Sequence, residues 1–143
     1  MKTIYFVCTG NTCRSPMAEG IFRKMLTDMG IIDIAVKSCG VSACEGMPVS
    51  ENAVLAAREY GADISSHTAL PFTPDLVTDS SVFVCVSYSH MIALFDFVPR
   101  EQLFVLDRNI TDPYLGDLET YRRCAKEIYD ALQDLPATLG IEQ

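Results

Sequence analysis

Short apolar runs alternate along this chain with segments of helical periodicity, and this alternation limits the possible folds more than any other feature. The runs at 2–7, 34–41, 82–87 and 102–106 are rich in strand-forming residues. Strands that are apolar throughout and separated by helices pack as a parallel sheet covered on both faces. The sequence therefore predicts an α/β fold with three layers.

The helices are predicted from apolar spacing and from the residues that begin or end a helix. One helix ends at Gly30, and a second runs from the cap residue Ser50 to about Tyr60. A short helix is predicted at 90–97. The last helix follows an N-cap at Asp117, and its apolar stripe consists of Leu118, Tyr121, Ala125, Ile128, Leu132 and Leu135.

Length and charge restrict the function. A chain of 143 residues fits a single domain, residues 1–143, with a proper core. Its net charge of -8 and the lack of a Lys/Arg-rich run argue against nucleic acid or an anionic membrane as partners. The apolar run at 4–8 is too short for a signal peptide or a membrane span, so we expect a cytoplasmic protein.

The six cysteines have no C-x-x-C spacing, and the chain has two histidines, so we expect neither a metal site nor a disulfide framework. Cys39, Cys85 and Cys124 lie among apolar residues, which predicts that they are buried as free thiols.

The loop at 8–16, Cys-Thr-Gly-Asn-Thr-Cys-Arg-Ser-Pro, connects the first strand to the first helix. Parallel sheets bind ligands at this edge, and the backbone N–H groups before a helix attract anions. Gly10 allows close backbone approach, and Asn11 tolerates the left-handed conformation. The residues predicted to bind a phosphate or similar oxyanion are Thr9, Gly10, Asn11, Thr12, Cys13, Arg14 and Ser15.

Cys8 begins this loop, so its sulfur is predicted to face the bound anion. The helix N-terminus and Arg14 favour the reactive thiolate, and Arg14 matches two phosphate oxygens. Ser15 is predicted to cap the first helix, with Pro16 in its first turn, and to donate a hydrogen bond to the sulfur. The pattern indicates a nucleophilic cysteine that forms a phosphocysteine.

A phosphatase of this kind also needs a proton donor for the leaving group. Asp112 follows the fourth predicted strand and therefore lies at the same edge of the sheet as the loop. Pro113 stiffens its placement, and Tyr114 is predicted to form a wall of the substrate pocket.

The motifs VCTGNTCRSPMAEG and DPYLGD resemble those of the low-molecular-weight protein tyrosine phosphatase family, and the resemblance spans nearly the whole chain. It implies a four-stranded parallel sheet, no metal and no other cofactor, and phosphorylated proteins as substrates. By this resemblance Cys8 is the nucleophile, Arg14 the phosphate clamp and Asp112 the general acid.

The chain departs from the tyrosine-specific pattern of the family. Thr12 stands where tyrosine-specific members usually have Ile, as it does in phosphoarginine phosphatases of the family. The stretch at 42–47 lacks the usual aromatic residue, and its Glu45 is predicted to face a cationic leaving group. Ser87 and His90 also resemble the phosphoarginine branch. These signs favour phosphoarginine over phosphotyrosine, which remains the alternative.

Two other functions remain compatible with the sequence. A thiol-coupled arsenate reductase shares this loop but needs two more cysteines close together in a mobile segment, and an anion-binding module would need no catalysis.

Cys13 lies five residues after Cys8 on the same loop, which predicts a reversible Cys8–Cys13 disulfide under oxidation.

Overall fold

A computed structural model describes residues 2–106 and 110–141 of the chain. Its sheet has four strands, Lys2–Cys8 (β1), Ile34–Gly40 (β2), Ser81–Cys85 (β3) and Leu103–Val105 (β4). They lie in the order β2-β1-β3-β4, and every neighbouring pair is parallel. The four-stranded parallel sheet predicted from the sequence is confirmed.

Helices cover both faces of the sheet, which confirms the three-layer prediction. They are Arg14–Asp28 (α1), Glu51–Arg58 (α2), Tyr88–Leu94 (α3), Leu118–Leu132 (α4) and Leu135–Thr138 (α5). The larger apolar core lies between the sheet and the layer of α1, α2, α4 and α5. The smaller core joins the other face to α3.

The strand order determines where a ligand can bind. Because β1 lies between β2 and β3, the chain leaves β1 towards one side of the sheet and later returns to the other side. Such a reversal opens a crevice at the carboxyl ends of the two central strands. The loop that follows β1 lies at this crevice.

Several predicted details of the helices are confirmed and others are wrong. The Asp117 carboxylate caps α4 by accepting from the backbone N–H of Thr120 at 2.9 Å, and Gly30 has the positive φ of a helix terminator. The prediction that Ser15 caps α1 is wrong, because α1 already begins at Arg14 and Cys13 occupies the N-cap position. The apolar stripe predicted for a single last helix is shared by two helices, because α4 ends at Leu132 and Leu135 begins α5.

Within residues 2–106 and 110–141, no helix combines the length and apolar character needed to cross a membrane. The same part of the chain contains no group of three or more acidic, histidine or cysteine side chains placed to hold a metal ion.

Candidate active site

Asn11 fixes the shape of the loop after β1. It has a φ of 59°, the left-handed conformation that the sequence predicted for it, and it is fully buried. Its side-chain amide donates to the hydroxyls of Ser15 at 2.8 Å and Ser38 at 3.0 Å, and its side-chain oxygen accepts from the backbone of Leu70 at 2.8 Å. A left-handed residue with every side-chain group paired holds the loop rigidly around the predicted anion site.

Ser38 and His67 support Asn11 from behind. The Ser38 hydroxyl donates to the carboxylate of Glu19 at 2.6 Å, and the ring of His67 donates from Nε2 to the backbone carbonyl of Asn11 at 2.9 Å. Gly40, at the end of β2, allows this packing, since a Cβ there would lie 2.5 Å from the carbonyl oxygen of Thr9. The phosphate loop therefore rests on β2 and on the segment that follows α2.

The hydroxyl of Ser15 lies 2.8 Å from the sulfur of Cys8. Because Ser15 Oγ accepts from the Asn11 amide, its own proton is free to point at the sulfur. The backbone N–H of Asn11 also donates to this sulfur, at 3.3 Å. The predicted hydrogen bond from Ser15 is thus present, although Ser15 makes it from within the helix rather than from a cap.

Two opposing effects act on the Cys8 thiol. Burial raises the pKa of Cys8 above its ordinary value, whereas hydrogen bonds from Ser15 and Asn11 and the positive charge of Arg14 lower it. The N-terminus of α1 adds a further field that favours the anion. The groups that lower the pKa of Cys8 are recognisable in the sequence, whereas the burial of its sulfur, which raises the pKa, is visible only in the structure.

Arg14 and Asp112 meet at the mouth of the site. An Arg14 guanidinium nitrogen lies 3.6 Å from a carboxylate oxygen of Asp112, with Arg14 buried and Asp112 exposed. The Asp112 loop is tied to α4, because the Glu127 carboxylate accepts from the backbone N–H of Thr111 at 2.8 Å and from its hydroxyl at 3.2 Å. The structure therefore brings together the three residues that the sequence predicted to be catalytic.

A cavity of about 280 Å³ lies over the loop. Cys8 lies deep in this cavity, at 3% exposure, whereas Tyr114 is 67% exposed at its rim. The predicted residues that line it are Cys8, Thr9, Gly10, Asn11, Thr12, Cys13, Arg14, Asp112 and Tyr114. Ser15 contacts the sulfur from below and does not line the cavity.

Of the three residues predicted for the substrate pocket, Thr12 and Tyr114 line the cavity and Glu45 does not. Glu45 is exposed and does not line the cavity, whereas its neighbours Ser42, Cys44 and Met47 do. These three residues follow β2 at the carboxyl edge of the sheet, so the rule about strand ends could have identified the segment but not which side chains turn inward. This wall is formed by small and flexible side chains without a carboxylate.

Two contacts of the loop were not foreseen. The Thr9 hydroxyl lies 3.0 Å from Nε2 of His90, a buried residue of α3, and the Cys13 sulfur lies 3.2 Å from the phenol oxygen of Tyr121 in α4. Burial and the hydrogen bond with Cys13 raise the pKa of Tyr121 to about 12. Neither pairing has a signal in local sequence, since each joins residues more than eighty positions apart.

Comparisons with known proteins agree with this geometry. The protein-arginine-phosphatase of Bacillus subtilis is 31% identical over 145 residues, covering 95% of each chain. A crystal structure of a low molecular weight protein tyrosine phosphatase from T. tengcongensis is 36% identical, with a TM-score of 0.88, and the match covers 97% of this chain and all of that one. An arsenate reductase of Staphylococcus aureus is 42% identical over 83 residues, 58% of each chain.

The family model for low molecular weight phosphotyrosine protein phosphatase matches residues 3–143, which is nearly the full length. Together with the relatives that match over most of the chain, this match shows that the protein belongs to the low molecular weight phosphotyrosine protein phosphatase family, whose members are cysteine-dependent phosphatases.

Proposed function

We propose that this protein is a protein-arginine phosphatase that acts through a phosphocysteine on Cys8. The observation that carries the proposal is the convergence of Cys8, Arg14 and Asp112 on one cavity, with the sulfur deep inside and the carboxylate at the mouth. A tetrahedral phosphoryl group above the sulfur would be bound by the loop N–H groups and by Arg14.

In the first step the Cys8 thiolate attacks phosphorus, an S–P bond forms, and the bond from phosphorus to the arginine nitrogen breaks. Asp112 gives its proton to the departing nitrogen, so that arginine leaves as a stable guanidinium. Asp112, now ionised, then accepts a proton from the water that attacks phosphocysteine. The S–P bond breaks, phosphate leaves, and Cys8 and Asp112 return to their initial states.

Ser15 and Arg14 serve the sulfur and the phosphoryl oxygens in this cycle. The Ser15 hydroxyl, 2.8 Å from Cys8, stabilises the thiolate both as the attacking group and as the group that leaves when phosphocysteine is hydrolysed. Arg14 neutralises charge on the phosphoryl oxygens, and its contact with Asp112 keeps the proton donor near the mouth.

The lining of the cavity supports phosphoarginine over phosphotyrosine. Thr12 contributes a hydroxyl, and the wall at 42–47 offers Ser42, Cys44 and Met47 rather than a ring that could stack on a phenol. Tyr114 remains as one aromatic wall and can stack on either a guanidinium or a phenol. The similarity to the Bacillus subtilis protein-arginine-phosphatase supports the same choice.

The positions of Cys85 and Cys124 disfavour a relay of the arsenate reductase kind through these two residues. Cys85 lies inside β3 and Cys124 inside α4, both fully buried, and burial raises the pKa of each thiol to about 12. A relay needs thiols that ionise and move towards the nucleophile. Neither residue belongs to a segment that can do so without unfolding its element.

The expected partners are phosphorylated proteins, and we place the enzyme in the cytoplasm. All six cysteines, which lie within the described part of the chain, are free, and the reaction needs Cys8 to remain reduced. Reducing compartments maintain such thiols.

Turnover of matched phosphoarginine and phosphotyrosine peptides tests the proposal. We expect kcat/KM to be larger for the phosphoarginine peptide, because its guanidinium can bond to the hydroxyls of the cavity. A larger kcat/KM for phosphotyrosine would assign the enzyme to the alternative substrate.

A further inference from the structure

Thr9 and His90 connect the phosphate loop to the helix layer on the smaller core. The Thr9 hydroxyl and Nε2 of His90 are 3.0 Å apart, although 81 positions separate the residues. Thr9 follows β1 and His90 lies in the helix after β3, so the contact spans the crevice between the two central strands. His90 is 3% exposed, whereas Thr9 is exposed and lines the cavity.

The direction of this hydrogen bond follows from the other ring nitrogen. The backbone N–H of Ser87 donates to Nδ1 of His90 at 3.2 Å, so Nδ1 carries no proton. The ring proton is therefore on Nε2, which donates to the oxygen of Thr9. Burial and the charge of Arg14 lower the pKa of His90 to about 4, against the opposing effect of Asp112, so the ring is neutral near pH 7.

This arrangement orients the Thr9 hydroxyl for a ligand. Accepting from His90 uses one lone pair of the oxygen and turns its proton away from the ring, which makes the second lone pair available to a group in the cavity. A phosphoryl group on the sulfur of Cys8 would lie deep in the cavity, whereas Thr9 is exposed on its open side. A leaving group would extend from the phosphoryl group towards this open side, where a guanidinium presents N–H donors that a phenyl ring lacks.

We propose that Thr9 is a specificity-determining residue that accepts a hydrogen bond from the guanidinium of the substrate, and that His90 is the positioning residue that orients it. The proposal rests on the proposed phosphoarginine activity. In this role the Thr9 side chain contacts the leaving group, whereas the backbone N–H groups of the loop contact phosphate. The buried His90 then contributes to substrate choice.

The test compares kcat/KM for matched phosphoarginine and phosphotyrosine peptides in wild type, in single-site variants of Thr9, His90 and Thr138, and in one double variant. Thr9→Val keeps the shape of the side chain but removes the hydroxyl, and it should lower the ratio of kcat/KM for phosphoarginine to kcat/KM for phosphotyrosine about tenfold. The ratio cancels any effect on phosphate binding that the two substrates share. Thr9→Ser should restore most of the loss. Thr138→Val, on an exposed helix far from the loop, is the matched control and should change neither value.

His90→Leu, which cannot donate, should lower the preference for phosphoarginine, whereas His90→Gln, which can still donate from its amide, should retain most of it. Thermal unfolding and inhibition by inorganic phosphate show whether the loop is intact in each variant. Adding His90→Leu to Thr9→Val should change the preference no further than Thr9→Val alone, because His90 acts through that hydroxyl. Additive effects would overturn the role of His90. An unchanged preference in Thr9→Val, in an enzyme that hydrolyses phosphoarginine, would overturn the role of Thr9 but not the proposed function. A wild-type enzyme that does not hydrolyse phosphoarginine would overturn both.

Discussion

The phenol oxygen of Tyr121 lies 3.2 Å from the sulfur of Cys13, so a helix residue holds the second cysteine of the phosphate loop in its reduced position. Both residues are buried. A disulfide between Cys13 and Cys8 would replace the Cys13 thiol in this contact with a sulfur that has no proton to donate.

We expect hydrogen peroxide to inactivate the enzyme reversibly through a Cys8–Cys13 disulfide. Peroxide oxidises the Cys8 thiolate to a sulfenic acid and is reduced to water, and the Cys13 thiol then attacks that sulfur and releases a second water. Peptide mass spectrometry and recovery of activity with dithiothreitol measure the outcome.

Cys44 provides the control for this experiment, because it is exposed and lines the same cavity. Cys44→Ser should leave both the disulfide and its reversibility unchanged, whereas Cys13→Ala should leave Cys8 to oxidise irreversibly. Recovery of only sulfinic or sulfonic Cys8 from wild type, or of a Cys8–Cys44 disulfide, would contradict the prediction.

Asp112→Asn removes the proposed general acid. For a phosphotyrosine peptide or another substrate with a poor leaving group, we expect the rate of Cys8 phosphorylation to fall about a hundredfold, since general acid catalysis contributes on this order. For p-nitrophenyl phosphate, whose leaving group needs little protonation, the fall should be much smaller. Single-turnover measurement of product release separates this step from phosphocysteine hydrolysis.

Asp79→Asn is the matched control, because Asp79 is exposed and lies just before β3, at the opposite edge of the sheet. Equal losses for both leaving groups in Asp112→Asn would argue against Asp112 as the acid.

Thr12→Ile replaces a hydroxyl of the cavity lining with an apolar side chain. We expect kcat/KM to fall for phosphoarginine and to rise for phosphotyrosine, so that their ratio changes at least about tenfold. The ratio cancels any general loss of folded enzyme. If the ratio is the same in wild type and Thr12→Ile, the principal support for phosphoarginine is lost.

The architecture followed from the sequence because its signals are local. Apolar strands, glycines after helices and the Asp117 cap each depend on a few consecutive residues, and the structure has all of them. The meeting of Cys8 and Asp112 at one cavity was also predictable, because Cys8 ends β1, Asp112 follows β4, and parallel strands end at one edge of the sheet.

The support of the site could not be predicted in the same way. The contacts of Asn11 with Ser38, of Thr9 with His90 and of Cys13 with Tyr121 depend on how distant elements pack, and no spacing in the chain encodes them. The direction of the Glu45 side chain could not be predicted either, although it depends only on the neighbouring residues of one loop. The segment was identified, but the inward and outward directions of its side chains depend on the path of a loop without regular periodicity.

The buried neutral His90 makes stability depend on pH. Its pKa is about 4 in the folded protein, below the ordinary value of 6.5, so between these values the unfolded chain binds more protons than the folded one. The free energy of unfolding should therefore fall as pH is lowered from about 6.5 to 4. His90→Gln should show a shallower fall in urea titrations across this range, and an identical slope in the two proteins would contradict the assignment.

The most direct test of the account is to identify the covalent intermediate by mass spectrometry of enzyme quenched with denaturant during turnover of a phosphoarginine peptide. We predict one phosphoryl group on the peptide that contains Cys8, located on the cysteine sulfur, with none in Cys8→Ala treated in the same way. Turnover of phosphoarginine by Cys8→Ala at the wild-type rate, or a phosphoryl group on any other residue, would contradict the proposed mechanism.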